Sequence, residues 1–184
     1  MSSAGSVAGN EHLRLFCALR LPDEILDGLE RWQREQLAGA GRPVAHGHLH
    51  ATLAFLGRRP ASELPAIAAA LRAAAAAAGE IVFSPSRYRE TRSVGMLVLE
   101  DETGEGAMLA GRLFDGLEGV GVYEREQRSW LPHVTVVRYR ERPRLRPPAP
   151  ELGSFTPSDA AVYMSSLRPT GAEYAVLEAV PLGG

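Results

Sequence analysis

Two tripeptides of the form His-x-Thr, each opening an apolar run, constrain this chain more than any other feature. His50 to Gly57 reads HATLAFLG, and His133 to Arg138 reads HVTVVR. In a β-strand, residues i and i+2 point to the same side. Read as strands, the two runs each show an imidazole beside a hydroxyl: His50 with Thr52, and His133 with Thr135. A single such pair is weak evidence, because a lone histidine in an apolar strand is commonly a hydrogen-bonded core residue. Two pairs, each heading an apolar run, ask for a fold that lays them face to face.

Spacing supports that reading. Leu13 opens a strand-like run 37 residues before His50, and Met96 opens another 37 residues before His133. An amphipathic segment separates each run from its tripeptide. The pattern is that of a duplicated unit of strand, helix and active strand.

The chemistry follows from the residue types. Two imidazoles and two hydroxyls around one small volume suit in-line attack at a phosphate. One histidine takes a proton from water, the other returns one to the departing oxygen, and the hydroxyls donate to the phosphoryl oxygens. The ordinary histidine pKa of about 6.5 makes both protonation states accessible near neutrality.

Composition removes several alternatives. The basic residues number 20 and all are arginine. Enzymes working through a lysine adduct are therefore excluded, and so is a Walker-type phosphate loop. The net charge of −2 gives no global field for nucleic acid, so RNA would have to be met by a local patch. The lone Cys17 lies in the first apolar run and is expected to be a buried small hydrophobe. The N-terminal residues have neither a basic start nor an apolar stretch, so no signal peptide is expected. No apolar run approaches the roughly 18 residues of a membrane span. A cytoplasmic monomer is the expectation.

Taken in order, residues 1–11 are read as a disordered tail and 12–184 as a single bilobal domain. Leu13 to Leu21 reads as a strand. Pro22 and Asp23 open a helix with Ile25, Leu26, Leu29, Trp32 and Leu37 at helical spacing, ended by Gly39 and Gly41. After the first histidine strand, Ser62 opens a second helix, alanine-rich to Ala78. Glu80 to Ser84 and Ser93 to Glu100 read as strands joined by SPSRYRETR. Glu102 to Leu117 reads as a helix, and Gly119 to Gly121 leads toward the second histidine strand. Arg140 to Pro150, with four prolines and four arginines, is a loop. Phe155 to Ser166 and Glu173 to Val180 close the chain as strands joined by a turn at RPTG. The fold class is α+β: antiparallel sheets around a central cleft, with helices outside.

The opening LRLFCALRLP, the motif HATLAFLG, the motif PHVTVVR and the ending SSLRPTGAEYAVLE together resemble the 2H phosphoesterase superfamily, specifically the RNA 2′,3′-cyclic phosphodiesterases also called 2′-5′ RNA ligases. The resemblance runs from Leu13 to Val180. It implies a bilobal fold with pseudo-two-fold symmetry and metal-free, cofactor-free hydrolysis of an RNA 2′,3′-cyclic phosphate end to a 2′-phosphate, reversible toward ligation. It also implies His50 as proton donor to the leaving oxygen and His133 as proton acceptor. Thr52, Thr135 and Arg138 would hold the phosphate. Arg138 lies five residues after His133, an odd offset that returns it to the same face only where the strand twists, bulges or ends.

Other readings compete. His46, His48 and His50 alternate and on a strand would form a metal site, but no acidic or thiol ligand accompanies them and Gly47 marks a turn. Arg87, Arg89 and Arg92, and the arginines from 138 to 146, could track an RNA backbone, with a solvated loop as the default for the later ones. Tyr88, Tyr139 or Phe155 could stack on a base, although core packing is the ordinary fate of each. The same site could instead take another small cyclic phosphate, such as an ADP-ribose cyclic phosphate, or bind RNA ends without turnover.

Overall fold

The apolar run that begins at Leu13 forms β1 (His12–Arg20), with Leu15 to Leu19 buried. β1 pairs on one side with β3 (His50–Pro60) and on the other with β7 (Asp159–Arg168), all antiparallel. The computed structural model describes residues 11–183. The remaining strands are β2 (Arg42–Pro43), β4 (Phe83–Glu90), β5 (Val94–Asp101), β6 (His133–Arg138) and β8 (Gly171–Val180). Together they make one curled antiparallel sheet in the order β4-β5-β6-β3-β1-β7-β8, with β2 beside β6. The expected tail lies, Glu11 apart, outside the described residues.

The duplicated unit expected from spacing appears in this order. β1 and β3 flank helix α1 (Asp23–Gln36) in sequence, and β5 and β6 flank α3 (Glu105–Gly119). Each unit pairs its own two strands, and the active strands β3 and β6 meet at the centre. They meet narrowly, through the single pair Ala51 and Val134. That short junction divides the sheet into two halves.

Helices cover one face of the sheet. α1 turns Ile25, Leu29 and Trp32 inward, together with the amide of Gln33. α2 (Leu64–Ala76) is so rich in alanine that α3 packs close against it; a Cβ at Gly116 would sit 3.2 Å from that of Ala70. Between sheet and helices lies the main core, which includes Leu15, Leu19, Leu53, Val134 and Val136. Each fully buried side chain of this size contributes about 1.5–3 kcal/mol relative to exposure. The opposite face carries a smaller cluster of Phe16, Ala18, Ala161 and Tyr163, with Tyr174 against it. Among the described residues no helix is long and apolar enough to cross a membrane.

Three of the boundaries that differ from the sequence reading have a visible cause. β4 starts at Phe83 and takes in most of the segment assigned to a connector. Pro85 is tolerated because β4 is an edge strand and its register slips between Pro85 and Arg87. α3 starts at Glu105 because the carboxylate of Asp101 accepts the N–H groups of Gly104, Gly106 and Ala107, fixing the first turn there. β7 starts at Asp159; Phe155 instead makes an isolated bridge to Phe83 in the core.

Candidate active site

The pairing of Ala51 with Val134 sets His50 opposite Thr135 and Thr52 opposite His133. All four are half-buried, whereas Ala51, Leu53, Val134 and Val136 are buried toward the helices. The four side chains therefore stand at the corners of a rectangle roughly 5 Å across the ladder and about 6.5 Å along each strand. Each histidine is diagonal to the other and faces the other's threonine.

Both rings are held the same way. The Nδ1 of His50 lies 2.7 Å from the carbonyl oxygen of His48, and that of His133 lies 2.8 Å from the carbonyl oxygen of Leu131. A carbonyl only accepts, so both Nδ1 atoms carry the proton and donate. In the neutral rings this leaves each Nε2 with its lone pair, and the Nε2 of His50 sits 3.0 Å from Thr52 Oγ1. The Trp130 indole N–H donates to the carbonyl of Thr52 at 3.0 Å, steadying that strand from the segment before β6.

His50 stands on an aromatic bed. Its ring centroid lies 5.0 Å from that of Phe16, 5.8 Å from Tyr163 and 5.6 Å from Tyr174. This burial pulls its pKa down to about 4; Arg138, His133 and His48 lower it further, and the bond to the His48 carbonyl partly opposes them.

The odd offset of Arg138 is resolved by a bulge. On β5, Gly95 and Met96 are adjacent, yet they pair with Val137 and Thr135 of β6, so Val136 is the extra residue. Val136 and Val137 are both buried, and Arg138 emerges exposed on the face of His133. The freed carbonyl of Val136 accepts from Gln33 Nε2 at 2.7 Å and from the Val44 N–H at 3.0 Å. β3 carries the matching device: Cys17 pairs with Ala54 and Ala18 with Thr52, leaving Leu53 as the extra residue, three positions after His50 as Val136 is after His133. Phe55 is thus the positional counterpart of Arg138. It is 68% exposed and lines, with Thr52, His133, Met96, Trp130 and Arg89, a cleft of about 650 Å³.

Not every candidate joins the site. His46 to His48 form a 3-10 turn, so the three alternating histidines do not share a face. His46 bonds Asp27 Oδ1 at 2.9 Å, and the His48 ring lies 4.7 Å from that of Tyr174. Among the described residues no group of three His, Cys, Asp or Glu side chains could hold a metal ion. Tyr139 is buried and its hydroxyl donates to the Val94 carbonyl, Tyr88 packs against Trp32, and Phe155 is core. None of these three faces the histidines. Phe55, Phe114, Tyr123 and Trp130 border the cleft, and Phe16, Tyr163 and Tyr174 do face His50; sequence reading passed over all of them. Arg20 also lies there, but both oxygens of Asp159 hold it as a fork.

A curled antiparallel sheet with two histidine–threonine pairs on its open face defines the two-histidine class of phosphoesterases. The chain belongs to the 2′-5′ RNA ligase superfamily, whose family model matches residues 21–168. It is 30% identical to the RNA 2′,3′-cyclic phosphodiesterase of Thermus thermophilus, over 94% of this chain and 91% of that protein. It is 28% identical to the protein of the same name from Escherichia coli, over 92% and 96%. Among solved structures it is similar to Escherichia coli LigT in complex with 3′-AMP, with a TM-score of 0.80 and 26% identity over 95% of this chain and all of that one. It is likewise similar to TT0787 of Thermus thermophilus, with a TM-score of 0.79 and 30% identity over 94% and 99%.

Proposed function

We propose that this chain hydrolyses RNA 2′,3′-cyclic phosphate ends to 2′-phosphates without a metal ion. The observation that carries the reading is the rectangle of His50, Thr52, His133 and Thr135, with both rings fixed through Nδ1 so that Nε2 is the working atom. The relatives named as RNA 2′,3′-cyclic phosphodiesterases, and the 3′-AMP held by the LigT structure, point to the same substrate class.

In this reading Thr52, Thr135 and Arg138 hold the non-bridging phosphate oxygens. His133 Nε2 takes a proton from water as the water oxygen bonds to phosphorus. The bond from phosphorus to O3′ breaks, and His50 Nε2–H delivers a proton to O3′. One water is consumed, and the product carries a 2′-phosphate and a free 3′-hydroxyl. His50 is neutral in the empty site at pH 7, so it must gain its proton with the substrate. The phosphate anion provides for this: its negative charge beside the ring favours the imidazolium against the burial that chiefly lowers the His50 pKa, and it also offsets Arg138. With a 5′-hydroxyl in the place of water, the same roles run ligation to a 2′-5′ linkage, and the reversal of that step exchanges the two histidines. Phe55 offers an apolar face beside the phosphate position.

The test is turnover of 2′,3′-cyclic CMP in the presence of EDTA, with loss of turnover in both His50→Ala and His133→Ala. Activity that persists in either variant, or that EDTA abolishes, removes this reading.

A further inference from the structure

The segment from Arg140 to Arg146 has no regular secondary structure, yet it is firmly placed. Glu90, whose side chain is only 2% exposed, accepts the N–H of Leu145 at 2.7 Å, that of Arg144 at 3.0 Å and Arg142 Nε at 2.9 Å. Further on, the Trp32 indole donates to the Pro148 carbonyl at 2.9 Å. Leu145 and Ala149 pack against the main core. Burial alternates along the stretch: Pro143, Leu145, Pro147 and Ala149 are half-buried, and Arg140, Arg142, Arg144 and Arg146 are exposed. A fixed backbone with proline and leucine turned in presents a row of guanidinium groups outward.

Most of that row is uncommitted. Arg142 is occupied by Glu90, but Arg140, Arg144 and Arg146 form no ion pair or side-chain hydrogen bond among the described residues. Arg142, Arg144 and Arg146 edge a concavity of about 540 Å³. The row begins two residues beyond Arg138. The Tyr139 N–H donates to the Ser93 carbonyl at 3.0 Å, which brings the exposed Arg92 of the β4–β5 turn to the same end of the sheet. In a protein of net charge −2, this concentrates positive charge at the end of the sheet where β6 leaves the histidine site.

We propose that Arg140, Arg144 and Arg146 bind the phosphodiester backbone of the RNA strand whose cyclic end occupies the histidine site. This deepens the proposed function and rests on it for the identity of the strand. Loosely tethered surface arginines gain little from a phosphate once their ordering is counted. Here the backbone is already ordered, so that cost is reduced. The contact is electrostatic and independent of base identity, and it acts on polynucleotides but not on mononucleotides.

The test compares wild type with the triple variant Arg140→Ala, Arg144→Ala, Arg146→Ala on two substrates. One is 2′,3′-cyclic CMP; the other is an oligoribonucleotide about ten nucleotides long ending in a 2′,3′-cyclic phosphate. Fluorescence anisotropy of the same oligomer bearing a 3′-hydroxyl reads binding apart from chemistry. The expected result is unchanged turnover of cyclic CMP and a KM for the oligomer raised about tenfold at unchanged kcat. The salt slope of binding should become shallower by about 2, from roughly 0.7 per lost phosphate contact. Replacing the three arginines by lysine should restore most of the affinity. Unaltered oligomer binding and salt slope, or an equal loss on both substrates, overturns the proposal. If neither protein opens the cyclic phosphate but the variant still loses oligomer affinity and salt dependence, the surface stands and the catalytic reading falls.

Discussion

The side-chain amide of Gln33 donates to the carbonyl of Val136 at 2.7 Å, across 103 residues of chain, and to that of Val44 at 3.0 Å. Gln33 is buried, at 4% exposure, beneath the sheet. It satisfies the carbonyl that the β6 bulge removes from the sheet ladder, and so it holds the strand in the form that turns Arg138 toward the histidines. Removing the amide takes away the donor to the Val44 carbonyl and leaves the Val136 carbonyl with the Val44 N–H alone, at about 1–3 kcal/mol. Gln33→Leu is therefore expected to lower stability in urea denaturation by that amount and to raise KM for a cyclic nucleotide more than it lowers kcat.

Gly95 lies opposite Val137 in the same irregularity. A Cβ there would overlap the Tyr88 hydroxyl and come within 2.7 Å of Val137 Cγ1. Strand backbone and a packed side chain have no room to yield. Gly95→Ala should cost about 1–3 kcal/mol in denaturation, with activity falling as the bulge shifts.

His50→Ala and His133→Ala should each lower kcat by about 10²–10⁴, the range for one proton-transferring group. Both variants should keep affinity for a 2′-nucleotide product within a few-fold, because Thr52, Thr135 and Arg138 remain. Arg138→Ala should instead weaken product binding. Rapid-quench rates and calorimetric binding separate the two patterns.

The depressed pKa of His50 has a definite sign. The folded protein leaves this ring neutral down to pH of about 4, whereas the unfolded chain protonates it near 6.5. The stability it contributes is present above about pH 6.5 and is lost as pH falls toward 4, by up to about 3 kcal/mol. Denaturation of wild type and His50→Gln should show a stability gap that shifts by this amount in favour of the variant between neutral and acid pH. Binding of inorganic phosphate near neutrality should be accompanied by proton uptake, measured by calorimetry in buffers of different ionisation enthalpy. Equal heats in those buffers would show that His50 does not gain its charge with the anion.

The parts of this protein that obey a simple period were legible in the sequence. His50, Thr52, His133 and Thr135 follow the strand period of two, and the alanine-rich α2 follows propensity. What broke a period was not. The bulges at Leu53 and Val136 turn Phe55 and Arg138 onto the site face, and only the pairing partners reveal where the extra residue falls. Pro85 hid β4 because an edge strand accepts a proline that a central strand rejects. Tyr163 and Tyr174 come from the last two strands, and nothing local in their sequence tells that the sheet curls them against His50. Tyr139 and Phe155, the more conspicuous aromatics, went to the core.

The most direct measurement is phosphorus NMR of a dinucleotide ending in a 2′,3′-cyclic phosphate, incubated with the protein and EDTA. The cyclic resonance is expected to give way to one monoester signal, that of the 2′-phosphate, and neither His50→Ala nor His133→Ala is expected to produce it at a comparable rate. A ring that stays closed, a 3′-phosphate product, or a reaction that the chelator stops would contradict this expectation.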